Sequence, residues 1–213
     1  MKISKAYFFI LLMIIYFSLS CDQSLNKELP VYNPSDFNPE LVDISLQNKK
    51  EDHTVLDFEL INQNGELITQ DHYKDKIYIV DFFFTSCPSI CPIMTTNMAK
   101  LQNKFYNEND VMFLSISVTP NMDSIPVLKK YAIEQGVIDS KWNITTGNKK
   151  HIYELARKSY FAAVDQGDGG VQDFIHTPYF ILVDKKKRIR GVYDGTKDIE
   201  VERLERDIKI LTN

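Results

Sequence analysis

The stretch that decides the fold is Phe82-Phe83-Phe84-Thr85-Ser86-Cys87-Pro88-Ser89-Ile90-Cys91-Pro92. It continues the apolar run 77–84, which predicts a central strand covered on both faces. Residues 91–106 follow with apolar side chains at helical spacing, so we expect a helix there. Two thiols four residues apart would then lie at the helix N-terminus, where the helix dipole favours thiolate. Thiolates bind soft metal ions or exchange with disulfides, and the motif alone leaves both open.

Outward from this stretch, the chain alternates between strand-like and helix-like segments. We predict strands at 54–60, 66–68, 111–118, 142–144, 179–184 and 189–193, and further helices at 125–135, 149–160 and 199–211. This order indicates an α/β fold with a mixed β-sheet flanked by helices. A strand that enters a cysteine-bearing helix, with a hairpin and a helix at the end of the chain, resembles a thioredoxin-like domain.

Composition narrows the class of protein. The chain has 213 residues, 44% hydrophobic and 25% charged, with a net charge of −4. These values are typical of one soluble globular domain, and the acidic balance argues against nucleic acid as a partner. Only three cysteines are present. Cys21 ends the first segment, and no fourth cysteine exists to build a framework of structural disulfides.

The N-terminal sequence predicts a targeting signal rather than part of the folded domain. Lys2 and Lys5 precede an uncharged apolar run at 6–19, which is too short for a comfortable membrane span. Ser18-Leu19-Ser20-Cys21 resembles a bacterial lipoprotein signal, with lipidation at Cys21; an uncleaved membrane anchor is the alternative. We therefore divide the chain into a signal at 1–20, a lipidated N-terminus with a flexible tether at 21–53, and a thioredoxin-like domain at 54–213. The domain is expected outside the cytoplasm, anchored to the membrane of a bacterial envelope.

One of the four histidines stands out as a third ligand. His176 lies just before the strand predicted at 179–184, and in a thioredoxin-like fold the loop entering that strand faces the cysteine loop. Two thiolates and one imidazole suit copper, and Cu(I) accepts three ligands. The other histidines, and Met94 with Met98 at helical spacing, are expected to be structural or solvated.

At this point the chain resembles the Sco/SenC family of copper chaperones for cytochrome oxidase assembly. The resemblance rests on the cysteine motif, on Ser115-Ile116-Ser117-Val118-Thr119-Pro120, on Val127-Leu128-Lys129-Lys130-Tyr131-Ala132, and on His176 eight residues before Asp184. It extends from residue 54 to the C-terminus.

The resemblance implies both a site and a function. Cys87, Cys91 and His176 would bind one copper ion per domain, as Cu(I) or Cu(II). The protein would deliver this copper to the dinuclear copper centre of a respiratory oxidase. Its partners would be the copper-bearing oxidase subunit and other copper carriers or thiol reductants of the envelope. The cysteines must be reduced first, since a disulfide offers no thiolate.

Four further residues are expected around the ligands, namely Pro88, Thr119, Thr177 and Pro178. Family members usually carry an acidic residue where Thr119 stands, so tuning or transfer of the metal is expected to differ here. Thr177-Pro178 resembles the cis-proline loop of thiol oxidoreductases, and a cis bond there would favour a redox site.

The alternative to a binding protein is an enzyme, a thiol-disulfide oxidoreductase that reduces the cysteines of the oxidase copper site or of another exported client. Cys87 would then attack and Cys91 would resolve the mixed disulfide. The three-residue spacer argues against this alternative, because dedicated oxidoreductases normally use two. A peroxidase is a third possibility, which needs an arginine near the attacking thiol in space, and no arginine flanks the pair in sequence.

Overall fold

A computed structural model describes residues 28–37, 53–162, 175 and 177–212. Its strands are β1 (Glu59–Asn62), β2 (Leu67–Thr69), β3 (Ile77–Phe83), β4 (Val111–Ser117), β5 (Trp142–Thr146), β6 (Tyr179–Val183) and β7 (Ile189–Asp194). Its α-helices are α1 (Ile90–Lys104), α2 (Ile125–Glu134), α3 (Lys149–Glu154) and α4 (Asp198–Thr212). Within the described ranges, none of these helices is long and apolar enough to cross a membrane.

The strands form one mixed sheet in the order β2-β1-β5-β4-β3-β6-β7. β3 runs parallel to β4, and β4 runs parallel to β5. β6 is antiparallel to β3 and forms a hairpin with β7. The carboxyl ends of β3 and β4 and the amino end of β6 therefore meet at one edge of the sheet, which we call the cysteine edge. The predicted α/β fold with a mixed sheet flanked by helices is confirmed.

Alternate residues of β3 pack into two hydrophobic cores, one on each face of the sheet. Tyr78, Val80 and Phe82 lie on one side, while Ile77 and Ile79 lie with both cysteines on the other. Every residue of β3 is buried, as its near-continuous apolar sequence predicts. On the cysteine side, α1 and α4 cover the sheet with side chains that include Met94, Met98, Leu204 and Ile208.

Two predicted elements differ from the structure. The strand expected at 54–60 begins only at Glu59, because the backbone before it bonds elsewhere: Val55 N–H donates to the Lys187 carbonyl at 2.8 Å. The helix expected at 149–160 is α3 followed by a π-helical turn over Leu155–Ser159. Apolar periodicity does not distinguish these two helical windings.

Part of the predicted tether is packed on the domain. Tyr32 forms a β-bridge with Ile189, and the Phe37 ring lies 4.8 Å from that of Phe161. The buried Arg190 guanidinium donates to the carbonyls of Leu29 and Pro30. The tether prediction therefore does not describe residues 28–37, which belong structurally to the domain.

A buried ion pair lies at the opposite edge of the sheet, the end of the strands that is farthest from the cysteine edge. Arg190 lies 2.8 Å from Asp184, and Arg188 bonds to the same carboxylate at 2.8 Å. Asp184 follows β6, so it lies at the far end of the sheet from the cysteine edge. This carboxylate provides a comparison for the acidic groups near the thiols.

Candidate metal centre

The two cysteines lie where β3 passes into α1. Cys87 is in the turn before the helix, with its N–H bonded to the Phe84 carbonyl at 3.3 Å, and Cys91 is in the first helical turn. The expectation that a helix holds both thiols is therefore correct only for Cys91, since α1 begins at Ile90. Both side chains are buried, at 6% and 3% exposure, and neither forms a disulfide. The Cys91 thiol nevertheless hydrogen-bonds to the Cys87 thiol.

Burial has a larger effect on the pKa of the Cys91 thiol than the helix dipole has. Burial, followed by the hydrogen bond with Cys87, raises the pKa of Cys91 to about 12, although a hydrogen bond from the Phe84 backbone acts in the opposite direction. A rise of this size corresponds to roughly 4 kcal/mol, whereas a helix dipole contributes about 0.3–1 kcal/mol at an exposed site. The expected thiolate at the helix N-terminus is therefore wrong for metal-free Cys91. A ligand that replaces the thiol proton is needed to make it a thiolate.

A buried carboxylate fastens the cysteine turn to the end of β4. Asp123, 1% exposed, accepts hydrogen bonds from the Thr85 N–H at 3.2 Å and the Thr85 hydroxyl at 2.5 Å. It also accepts from the hydroxyls of Ser117 at 2.5 Å and Thr119 at 2.9 Å. Thr119 thus lies near the cysteine turn, as expected, and the acidic group in this loop is supplied by Asp123, four residues later. Sequence spacing offered no signal for this carboxylate, because its partners come from two different strand ends.

A second acidic group lies beneath the cysteines, in the middle of β3. Asp81 is 3% exposed and accepts from the Ser115 hydroxyl at 2.5 Å, and Trp142 Nε1 donates to the same hydroxyl at 2.9 Å. Burial raises the pKa of Asp81 to about 7, and its charge contributes to the raised pKa of Cys91. A single carboxylate within an apolar strand can be recognised from the sequence, but the sequence analysis did not single out Asp81.

The residues before β6 lie at the cysteine edge. Thr177 is buried and Pro178 half-buried, and the Pro178 carbonyl accepts from the Gly195 N–H at 2.7 Å. Gly195 in turn accepts from the Asn97 side chain of α1 at 2.9 Å, which joins this segment to the cysteine-bearing helix. The peptide bond between Thr177 and Pro178 is trans, since the described chain contains no cis bond. The cis-proline feature of a redox site is therefore absent here.

His176 and Cys21 lie outside the described residues. Within the described part of the chain, no three His, Cys, Asp or Glu side chains come together in a metal-binding arrangement. The structure thus describes two of the three predicted ligands, Cys87 and Cys91, and the ligand set stays a prediction.

Several side chains with metal-binding atoms have other roles. Ring nitrogens of His53, His72 and His151 bond to Ser159, Thr69 and Glu59, respectively. Met94 and Met98 are 1% and 0% exposed in the core, which confirms their predicted structural role. Pro88, expected near the ligands, is exposed in the spacer between the cysteines.

Two described segments that carry or adjoin the cysteine turn have no exposed charge. Residues 82–99 contain no charged side chain, and residues 111–128 contain only the buried Asp123. Exposed apolar side chains there include Ile93, 49% exposed in α1, and Met122, 64% exposed in the loop after β4. In a chain that is 25% charged, such depletion is typical of the centre of a protein–protein interface.

Comparison with known proteins identifies one family. The model of the SCO1/SenC family matches residues 46–213. The SCO1 protein homolog of Bacillus subtilis is 34% identical over 154 residues, which cover 71% of this chain and 79% of the homolog.

Solved structures agree. A SCO1/SenC family lipoprotein of Bacillus anthracis matches with a TM-score of 0.67 and 32% identity, covering 76% of this chain and 96% of that protein. BsSco, a member of the Sco family of cytochrome c oxidase assembly proteins in which a disulfide switch was identified, matches with a TM-score of 0.64 and 32% identity, covering 76% and 94%. Arabidopsis thaliana ScoI, solved with copper bound, shares the fold with a TM-score of 0.58 at 24% identity, covering 73% and 98%.

Proposed function

Because the chain belongs to the SCO1/SenC family, we propose that it is an envelope-tethered metallochaperone that binds one copper ion through Cys87, Cys91 and His176. It delivers this copper to the dinuclear copper centre of a respiratory cytochrome oxidase. The observation that carries the proposal is the contact between two buried thiols at the cysteine edge. Two thiols that hydrogen-bond to each other lie within reach of one soft ion.

The chemistry of this pair favours Cu(I). Copper(I) prefers soft thiolate ligands, and binding replaces the thiol protons, so the buried, proton-holding pair becomes a dithiolate only when the metal arrives. The copper-bound ScoI structure of Arabidopsis thaliana supports copper as the cargo of this fold. His176, which immediately precedes the buried Thr177 in sequence, supplies an imidazole as the third ligand.

The cellular role follows from the same relatives. BsSco is described as a cytochrome c oxidase assembly protein, and the Bacillus anthracis neighbour is a lipoprotein. Lipidation of Cys21 would anchor the chain to the outer face of the membrane, where the copper-bearing oxidase subunit is reached. The uncharged surface with Ile93 and Met122 is where the client subunit docks, so that copper passes over a short distance.

The third ligand is tested by His176→Ala. We expect the reduced full chain to lose roughly a hundredfold in Cu(II) affinity, about 2.7 kcal/mol, because imidazole is a preferred ligand of Cu(II). The absorption spectrum of the bound Cu(II) should change at the same time. Titration followed by absorption and by competition with a chelator measures both.

The matched control for this variant is His72→Ala. His72 is exposed and bonds locally to Thr69, so its loss should leave copper binding unchanged. Unaltered Cu(II) affinity and spectrum in His176→Ala would exclude the three-ligand site.

A second candidate function is thiol-disulfide exchange, favoured by the contact between the two thiols and by the disulfide switch of BsSco. The raised pKa of Cys91 keeps this thiol protonated at neutral pH, so Cys87 would attack a client disulfide and form a mixed disulfide. Cys91 would then attack the Cys87 sulfur, releasing the reduced client and closing the Cys87–Cys91 disulfide. The reduction potential, measured together with catalysed reduction of a disulfide substrate, separates this role from copper delivery.

A further inference from the structure

We propose that Asp123 is a positioning residue for the two cysteines, a clamp that holds the turn 84–89 against the end of β4. The inference deepens the proposed copper function and rests on it only where copper affinity is the readout. Asp123 touches neither cysteine in any described hydrogen bond. Its effect on the thiols passes through Thr85, two residues before Cys87.

The contacts of Asp123 are divided between two strand ends. Thr85, just beyond β3, donates both its N–H and its hydroxyl to the carboxylate. Ser117, the last residue of β4, and Thr119, in the following loop, donate their hydroxyls to it. The Ser117 hydroxyl also accepts from the Thr119 N–H at 3.1 Å, which closes the network. One buried side chain thus joins the cysteine turn to the neighbouring strand.

Beyond core packing, the other hydrogen bonds described for the turn are few or long. Beyond β3, the Val118 N–H donates to the Phe83 carbonyl at 2.9 Å, and the ladder between β3 and β4 ends at the pair Phe83 and Ser117. In the turn itself, the Cys87 N–H bond to Phe84 is long, at 3.3 Å. Charge-assisted hydrogen bonds to a carboxylate are roughly twice as strong as neutral ones. Asp123 therefore provides the strongest described hydrogen-bonded attachment between the cysteine turn and the end of β4.

Such an attachment fixes the site before the metal arrives. Metal ligands that are held in place need not be ordered on binding, so affinity rises. It also keeps both thiols buried, at 6% and 3% exposure, away from reagents in solution. Loosening the turn should lower copper affinity and increase thiol reactivity together.

The test is Asp123→Asn in the reduced full chain. The amide replaces one acceptor oxygen with an NH2 group and removes the negative charge, so the bonds to Thr85, Ser117 and Thr119 become fewer or weaker. The matched control is Asp184→Asn, which removes a comparably buried carboxylate at the opposite edge of the sheet. Both variants lose stability, but only Asp123→Asn loosens the cysteine turn.

Two readouts are measured while each variant is folded by circular dichroism. We expect alkylation of the metal-free thiols by N-ethylmaleimide to be at least about tenfold faster in Asp123→Asn than in Asp184→Asn. In the wild type, the local opening that exposes the thiols must break the Asp123 hydrogen bonds, and Asp123→Asn lowers this cost. Cu(I) affinity, by competition with a chelator, should be about tenfold weaker in Asp123→Asn than in the control.

Each outcome decides something. Equal alkylation rates in the two variants would overturn the clamp, and equal Cu(I) affinities would overturn its role in copper binding. Faster alkylation in a chain whose wild type takes up no copper supports the clamp and contradicts the proposed function instead.

A milder pair covers the case in which Asp123→Asn does not fold. Thr85→Val removes one hydroxyl bond to Asp123, and Thr145→Val removes a more deeply buried hydroxyl bond, from Thr145 to the Ser115 carbonyl, at 2.9 Å. We expect alkylation to be about threefold faster in Thr85→Val than in Thr145→Val, in line with one hydrogen bond. Equal rates in this pair would overturn the clamp as well.

Discussion

Replacing either Cys87 or Cys91 by serine is expected to lower Cu(I) affinity by about a thousandfold or more, roughly 4 kcal/mol. Cu(I) is a soft ion, and a serine hydroxyl does not replace a thiolate as its ligand. The two thiols hydrogen-bond to each other, so in the proposed site either substitution leaves a single thiol. Competition with a Cu(I) chelator, under reducing conditions, measures the loss.

The control for these variants lies between the two cysteines. Ser89 is exposed and makes no capping hydrogen bond with its side chain, so Ser89→Ala should retain wild-type affinity. Retention of tight Cu(I) binding in Cys87→Ser or Cys91→Ser would show that the pair is not the copper site.

The second large effect concerns stability, and it comes from Asp81. Its pKa is about 7 in the folded chain, against 3.8 as its ordinary value. Between these two values the folded state holds a proton that the unfolded state has released, so the free energy of unfolding falls as pH rises. The cost is absent below pH 3.8 and fully present above pH 7, where it amounts to roughly 4 kcal/mol.

Asp81→Asn tests this directly. Asparagine keeps an oxygen that accepts from the Ser115 hydroxyl but cannot carry the charge. We therefore expect the variant to exceed the wild type in stability by a few kcal/mol at pH 8, and to differ little near pH 4. Denaturant unfolding across this range, in the presence of a reductant, measures the difference.

A surface carboxylate provides the comparison for Asp81. The pKa of Asp110 is lowered, first by its hydrogen bond with Lys185, so Asp110→Asn should change stability slightly and with the opposite sign. A gain in Asp81→Asn that is the same at pH 4 and pH 8 would contradict the buried-charge interpretation.

Much of the fold could be predicted because its central elements have strong local patterns. The apolar run of β3 and the helical spacing of α1 give their positions to within one or two residues. The structure of segment 53–58 was harder to predict, because its extended backbone bonds to a distant turn rather than to a neighbouring strand. The docking of residues 28–37 was missed for a similar reason, since it depends on contacts with residues distant in sequence, among them Ile189, Phe161 and Arg190.

In the candidate site, the proposed ligands were easier to predict from the sequence than the residues that hold them in place. Cys87 and Cys91 form a motif with its own spacing, and the structure brings their thiols together. Asp123 bonds to three residues on two separate segments, and no sequence period records such an arrangement. The protonation of Cys91 was misjudged because the depth of burial, which outweighs the helix dipole, cannot be read from the motif.

The measurement that tests the central claim most directly is the copper content of the full chain in its two thiol states. One sample is reduced before exposure to Cu(I) and desalting, and the other is first oxidised to the Cys87–Cys91 disulfide. We expect about one copper per chain in the reduced sample and almost none in the oxidised sample, because a disulfide has no thiolate to bind the metal. Equal copper in both samples, or none in the reduced one, would contradict a copper site built on these two cysteines.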